Sequence, residues 1–174
     1  MNQAAVVGAS RGGGLGSAAV ARLIALLLPL ALLGGALGSQ YFGGLHPCEM
    51  CYWQRWPHAA AILLAALAFT GPARSMRSRT LTLLAALAIA VSGAIGVYHA
   101  GVEAGIFEGF TQCTALSNSG STAELLQQIT HAVLVRCDEV QFRFLGISMA
   151  GWNAILSLGG ATLIVVLTLR GKRA

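Results

Sequence analysis

Four long apolar stretches divide this sequence, at residues 23–41, 51–70, 81–99 and 147–169. Each is close to the roughly 20 residues that an α-helix needs to cross the hydrocarbon core of a bilayer. No water is available there to pair with backbone groups, so a lipid-embedded segment of this kind folds as a helix. The sequence therefore predicts an all-α membrane protein, in which residues 1–174 form a single bundle of four transmembrane helices.

The overall composition agrees with this prediction. Apolar residues make up 56% of the chain and charged residues only 10%, whereas soluble domains carry about 25% charged residues. The mean hydropathy is +0.71 and the pI about 9.5. In a soluble protein such a basic balance would suggest nucleic acid, but here we expect a lipid bilayer and no nucleic-acid partner.

The charged residues are divided between the two sides of the predicted membrane. Eight of the 11 basic residues precede the first stretch, separate the second from the third, or follow the fourth, and all six acids lie in the other connections. Basic residues in short loops mark the cytoplasmic side. We therefore expect both termini in the cytoplasm, with residues 1–19 as a flexible glycine-rich lead-in and residues 100–146 as a long loop on the outer side.

All four cysteines lie on that outer side. Cys48 and Cys51 flank the start of the second stretch, and Cys113 and Cys137 lie in the long loop. Disulfides persist outside the cytoplasm, where no thiol pool reduces them. Four cysteines allow three pairings, of which the Cys-x-x-Cys spacing favours Cys48 with Cys51 and hence Cys113 with Cys137.

The segment HPCEMCYWQRWPH, residues 46–58, has the composition of a reactive site. Pro47 suits the first turn of a helix that starts near Cys48, and the helix dipole there favours a thiolate. Cys51, Arg55 and His58 fall on one helical face, so the guanidinium of Arg55 can favour ionisation of Cys51. The alternatives are that Arg55 only anchors the helix at the membrane interface and that His58 is only packed.

Three chemistries are open to the four cysteines. A zinc site built from cysteines normally has two closely spaced pairs, whereas 23 residues separate Cys113 from Cys137, so we expect no metal. A purely structural Cys48–Cys51 bond closes so small a ring that it stabilises little. The favoured interpretation is a redox relay, in which a loop pair reaches a soluble partner and a fixed pair at the membrane surface meets a lipid-soluble oxidant.

Three stretches resemble a known family: CEMCYWQRWP, YHAGVEAGIFEGFTQC at residues 98–113, and CDEVQFRFLGISMAGWN at residues 137–153. Together with four apolar spans in the right order, they are similar to the DsbB family of bacterial inner-membrane disulfide-forming proteins, over about residues 20–170. Glu49, between the first two cysteines, departs from the small or apolar residue more usual there, which affects the redox poise rather than the chemistry.

The resemblance implies a protein-dithiol:quinone oxidoreductase of the inner membrane with periplasmic cysteines. Cys113 would form the mixed disulfide with a periplasmic thioredoxin-like oxidase of the DsbA type, and Cys137 would resolve it through Cys48. Cys51 would then deliver the electrons to ubiquinone or menaquinone from the membrane quinone pool. The resemblance further implies that Arg55 polarises the quinone carbonyl, and that His99 and His58 contribute to the quinone pocket.

Several alternatives stay open at this stage. A related enzyme of the vitamin K epoxide reductase type has a similar fold, and a non-enzymatic scaffold with a disulfide-stapled outer loop has the same cysteine content. His99 is alternatively a simple interfacial histidine. We also expect Ser148 to cap the last helix, Trp152 and Asn153 to pack at its start, and four acids to form a solvated surface: Glu103, Glu108, Asp138 and Glu139.

Overall fold

A computed structural model of the chain describes residues 16–108 and 135–170. Within these residues the backbone forms four long helices and one short antiparallel hairpin. The elements are α1 (Ser17–Tyr41), α2 (Glu49–Ala68), α3 (Met76–Glu103), β1 (Arg143–Phe144), β2 (Ile147–Ser148) and α4 (Met149–Arg170). Each of the four predicted apolar stretches is therefore helical over most of its length.

Three of the helices, α1, α3 and α4, are long and apolar enough to cross a membrane. The described part of the chain is thus that of a helical membrane protein. The helix α2 has 20 residues, and its first half carries Glu49, Gln54 and Arg55. These polar residues reduce its hydropathy, and its crossing of the membrane stays a prediction.

The helices form a bundle in which α1 and α3 lie diagonally opposite each other. Each of these two packs mainly against α2 and α4. Their shared core is built largely from alanine, with Ile89 and Ile164 as its largest members, and small residues let helix backbones approach closely where lipid surrounds the bundle. Large side chains such as Leu27, Leu63 and Leu87 point outward and are more than half exposed, which suits a hydrocarbon environment.

Two glycines set the distance between α3 and α4. A Cβ atom on Gly93 would lie 2.9 Å from Leu158 Cγ, and one on Gly96 would lie 3.1 Å from the Ala150 carbonyl oxygen and the Ala154 nitrogen. A side chain at Gly93 would press on the Leu158 and Ser157 side chains, and one at Gly96 would press on the backbone of α4. The close approach also brings Asn153 of α4 against α3.

Arg22 closes the end of the bundle remote from the cysteines. Its Nη1 group donates to the carbonyl oxygens of Ala68 and Gly71 at 3.0 and 2.9 Å. These carbonyls lie at and just beyond the C-terminus of α2, where backbone oxygens lack helical partners and a positive charge is favourable. The guanidinium carbon also lies 4.7 Å from the centre of the Phe69 ring, so Arg22 fastens α1 to the end of α2.

The predicted boundaries need three corrections. The helix α1 begins at Ser17, inside the predicted lead-in 1–19, because the segment SAAVAR is rich in strong helix formers. The helix α3 continues to Glu103, four residues into the predicted loop 100–146. Pro47 precedes the cap of α2 instead of occupying its first turn, because Cys48 is the N-cap residue. The rest of the lead-in and most of the loop lie outside the described residues.

The hairpin β1–β2 leads directly into α4. Leu145 and Gly146 form its turn with positive φ angles of 52° and 81°. Ser148 Oγ then accepts a hydrogen bond from the Gly151 backbone N–H at 3.1 Å, which confirms the predicted cap of the last helix. Trp152 packs as expected, and its Nε1–H group donates to the Phe144 carbonyl oxygen at 2.9 Å.

Candidate functional site

Three of the four cysteines lie together at one end of the bundle, which we call the cysteine end. Cys48 and Cys137 are buried in one cluster with Met50 and Val102, and Cys51 packs against it. Cys48 therefore has cysteine neighbours both within α2 and in the segment before β1. Cys113 lies outside the described residues.

The sulfurs of Cys48 and Cys51 are 3.1 Å apart, so a small movement would bring them to the bonding distance of about 2.05 Å. Cys48 donates its S–H to the Cys51 sulfur and accepts the Cys51 backbone N–H at 3.4 Å. The hydrogen bond with Cys51, together with burial, raises the pKa of the Cys48 thiol. Cys48 is accordingly the cysteine of the pair that keeps its proton, and the Cys51 sulfur accepts the hydrogen bond from it.

His99 joins this pair from α3. Its Nε2 atom lies 3.5 Å from Cys48 Sγ and 3.8 Å from a carboxylate oxygen of Glu103. Glu103 is only 10% exposed, and its second oxygen is buried without a hydrogen-bond partner among the described residues. The expectation that Glu103 belongs to a solvated surface is therefore wrong. The extension of α3 by one turn carries this carboxylate into the site instead of into the loop.

A chain of buried polar side chains continues from His99 toward the middle of the bundle. His99 Nδ1 contacts Gln54 Nε2 at 2.8 Å, and Gln54 Oε1 accepts from Asn153 Nδ2 at 2.7 Å. Asn153 Oδ1 and Ser92 Oγ each lie 2.9 Å from His58 Nε2. This set, called the polar network below, joins α2, α3 and α4, and it brings both predicted histidines into one connected group.

Arg55 points toward α1 from the next turn of α2. Its Nη2 group donates to the Ala36 carbonyl oxygen at 3.1 Å, and Nη1 donates to Gln40 Oε1. Its guanidinium carbon lies 5.1 Å from the centre of the Tyr52 ring. Its Nε–H group is buried and without a partner among the described residues. Arg55 thus bridges two helices and keeps a buried Nε–H donor available.

These groups surround a cavity of about 310 Å³ between the helices at the cysteine end. Cys48, Cys51, Arg55, His58 and His99 all contribute to its wall. The predicted common face of Cys51, Arg55 and His58 is therefore the face that α2 presents to the cavity. On the opposite side the wall is formed by small and apolar residues of α1, including Ala31, Leu32, Gly35 and Ala36.

The sequence did not single out Gln54, Ser92 or Glu103 as members of the site. Gln54 and Ser92 are almost fully buried, and each is a polar residue inside an apolar segment. An uncharged polar residue in such a segment normally hydrogen-bonds across the bundle, which is the signal that could have identified both. No comparable pattern marks Glu103, because its burial depends on packing against the segment before α4.

The family model described as disulfide bond formation protein DsbB matches residues 18–167 of the chain. A disulfide bond formation protein B from Chromohalobacter salexigens is 30% identical over 152 residues, covering 83% of this chain and 84% of the relative. Another, from Xanthomonas oryzae pv. oryzae, is 28% identical over 142 residues, covering 79% and 82%. No solved structure matches significantly. Since the family model covers most of the chain, including every described cysteine, this protein belongs to the DsbB family.

Proposed function

We propose that the chain is a thiol oxidase of the bacterial inner membrane that reoxidises a periplasmic DsbA-type dithiol and passes the electrons to membrane quinone. The observation that carries the proposal is the cavity at the cysteine end, whose wall includes Cys48, Cys51 and the unpaired donor of Arg55. It places a dithiol beside a largely apolar space between helices. The names of the relatives, disulfide bond formation protein B, support the thiol chemistry.

Exchange between the two cysteine pairs would pass through Cys48. Cys48 packs with both Cys51 and Cys137, and thiol–disulfide exchange requires direct attack of a thiolate on a sulfur. When the Cys137 thiolate bonds to Cys48, the Cys48–Cys51 bond breaks and Cys51 leaves as the thiolate. Cys113 would then attack Cys137 and release Cys48, while Cys113 also serves as the contact with the soluble partner.

The cavity suits the head group of a quinone. Its volume of about 310 Å³ lies at the lower end of the range for small-molecule sites, and its α1 wall offers small and apolar side chains. The Nε–H group of Arg55 is available to a carbonyl oxygen, and the unpartnered Nδ1 atom of His58 is available to a hydroxyl group. A bound quinone, ubiquinone or menaquinone, supplies a two-electron, two-proton acceptor for the dithiol.

The topology follows from the same proposal. With four spans, the cysteine end faces the periplasm, and both termini face the cytoplasm together with the Arg22 end of the bundle. The oxidising periplasm is then on the side where Cys48, Cys51 and Cys137 lie. Membership in the DsbB family favours the proposed thiol oxidase over the alternative of an enzyme of the vitamin K epoxide reductase type.

The test is quinone reduction by the purified full-length protein in detergent, with a reduced DsbA-type partner and a soluble quinone. We expect rapid loss of the quinone absorbance with the parent protein and none with Cys51→Ser. Met50→Leu, a volume-conserving change at the residue between Cys48 and Cys51 in the buried cluster, serves as the matched control and should retain most of the rate.

Two results would count against the proposal. If the parent protein formed its disulfides but left the quinone unchanged, the alternative of a disulfide-stapled scaffold would be favoured. If Cys51→Ser reduced quinone as fast as the parent, the electrons would leave the protein at another residue.

A further inference from the structure

The orientation of the polar network can be determined from its backbone carbonyls, which only accept hydrogen bonds. The side-chain nitrogen of Asn153 lies 3.2 Å from the Ser92 carbonyl oxygen, so this end of the amide must be the NH₂ group. The same group contacts the Gln54 side chain at 2.7 Å, and that end of Gln54 must therefore be its oxygen. The nitrogen of Gln54 is held in turn by the Met50 carbonyl oxygen at 3.2 Å.

This orientation determines which nitrogen of His99 carries the proton. Gln54 presents its NH₂ group to His99 Nδ1 at 2.8 Å, and an NH₂ group only donates. Nδ1 must therefore be the bare, accepting nitrogen. In a neutral imidazole the other nitrogen then carries the hydrogen, and that nitrogen, Nε2, faces Cys48 Sγ at 3.5 Å.

We propose that Gln54 is a positioning residue that holds His99 in the tautomer with its proton on Nε2, so that this N–H group donates to the Cys48 sulfur. Asn153 and the Met50 carbonyl group maintain the orientation of Gln54. The inference deepens the proposed function, and its role in turnover rests on that function.

The consequence for Cys48 is electrostatic. When exchange with Cys137 ends, Cys48 leaves as a thiolate, and a stabilised thiolate leaves faster. Two N–H donors would then face its sulfur, the Cys51 backbone N–H at 3.4 Å and His99 Nε2–H.

The proton on Nε2 also has a consequence for metals. The Cys48 and Cys51 sulfurs and His99 Nε2 lie within 4.8 Å of one another, but a metal binds only the bare nitrogen of an imidazole.

Other charged groups around His99 bear on its protonation. Cys48 and Cys51 face it from the start of α2, and Glu103 lies one turn further along α3 at 3.8 Å. The backbone of Cys137 forms a hydrogen bond with His99, and Arg143 interacts electrostatically with Glu103. The Glu103 carboxylate lies beyond hydrogen-bond distance, but its negative charge favours a proton on the nearer nitrogen, Nε2, and so supports the same tautomer.

The test is nitrogen NMR of the full-length protein labelled with ¹⁵N-histidine, reduced and at neutral pH. The chain has four histidines, and His99→Gln identifies the pair of signals that belongs to His99. The shifts of the two ring nitrogens report directly where the proton lies. We expect a protonated Nε2 and a bare Nδ1 in the parent protein. This part of the test does not depend on whether any Gln54 variant folds.

Two substitutions extend the test. In Gln54→Glu a carboxylate, which only accepts hydrogen bonds, replaces the NH₂ group opposite Nδ1. Nδ1 should then take up a proton from solvent and donate it in a hydrogen bond to the carboxylate, so both nitrogens of His99 should become protonated. Thr80→Glu introduces a carboxylate at an exposed position of α3 near the end of the bundle remote from the cysteines, and it should leave the His99 signals unchanged. A parent protein with the proton on Nδ1, or a Gln54→Glu protein with the parental pattern, would overturn the inference.

Activity is measured separately, as the pH profile of quinone reduction. Gln54→Glu should displace this profile relative to the parent, whereas Thr80→Glu should not. If the NMR result holds but no protein reduces quinone, the tautomer assignment stands and the proposed function fails. If quinone reduction holds but His99 carries its proton on Nδ1, only the role of Gln54 is rejected.

Discussion

The Arg55 side chain combines two contacts to α1 with a buried donor that has no partner among the described residues. Its two terminal nitrogens bond to Ala36 and Gln40 of α1, and Nε–H is the buried group that these contacts leave unpaired. A planar guanidinium can hold three directions at once, whereas a lysine ammonium is a flexible point charge. The pattern of residues predicted that Arg55 faces the same space as Cys51, but its contacts with α1 depend on packing that no local pattern encodes.

The first residue-level prediction concerns this donor. Arg55→Gln removes the charge and the Nε–H group, and hydrogen bonds to charged groups contribute about 1.5–3 kcal/mol. We expect kcat/KM for quinone to fall about tenfold or more, with a smaller loss in Arg55→Lys, which keeps the charge. The measurement is the steady-state rate of quinone reduction over a range of quinone concentrations.

Arg74→Gln is the matched control for that series. Arg74 is exposed in the turn between α2 and α3, at the end of the bundle remote from the cysteines. Its replacement should leave kcat/KM unchanged. Equal losses in the Arg55 and Arg74 variants would show that Arg55 acts through net charge or stability alone, and an unchanged Arg55→Gln enzyme would remove it from the site.

At the scale of elements, the contact between α3 and α4 supports the polar network. Gly96 allows the backbone of α4 to approach, and a Cβ atom there would lie 3.1 Å from Asn153 Nδ2 as well as from the backbone of α4. Asn153 is the residue that orients Gln54. The separation of these two helices therefore bears on the geometry at His99.

Gly96→Ala tests this contact. Overpacking a close helix contact costs typically about 1–3 kcal/mol, so we expect a lower midpoint of thermal unfolding in detergent and a slower quinone reduction. Gly159→Ala is the matched control, because a Cβ atom there meets nothing within 4 Å. It should unfold at the parental temperature or slightly above it. If both variants behaved alike, the close approach of α3 to α4 would not be a stability determinant.

Hydropathy predicted the helices better than their connections. The first apolar stretch was expected to end at residue 41, and α1 does end at Tyr41. The end of this helix is visible in the sequence because the apolar residues stop there and the turn residues Gly43 and Gly44 follow. The end of α3 was placed at residue 99, four residues short of Glu103. The extra turn contains Val102, which is buried in one cluster with Cys137 of the segment before α4. Hydropathy does not detect this contact between distant parts of the chain.

At the scale of the whole molecule, the sequence predicted residues that the structure brings to one cavity, but not the contacts that join them. Cys48, Cys51, Arg55, His58 and His99 were all selected from their types and positions, and all five line one cavity. The links between them run through Gln54, Ser92 and Asn153, which lie on three different helices. Which residues meet across helices depends on the rotation and depth of each helix in the bundle, and this is a property of the packed structure.

The central claim is that electrons leave the protein from the Cys48–Cys51 pair. The most direct measurement uses a Cys113→Ala/Cys137→Ala protein, fully reduced, without a partner and under anaerobic conditions, with quinone added in known amounts. The free thiols and the remaining quinone are then counted together. The account predicts that one Cys48–Cys51 disulfide forms for each quinone reduced. Quinone consumed while both thiols stay free, or thiols lost without quinone consumed, would contradict it.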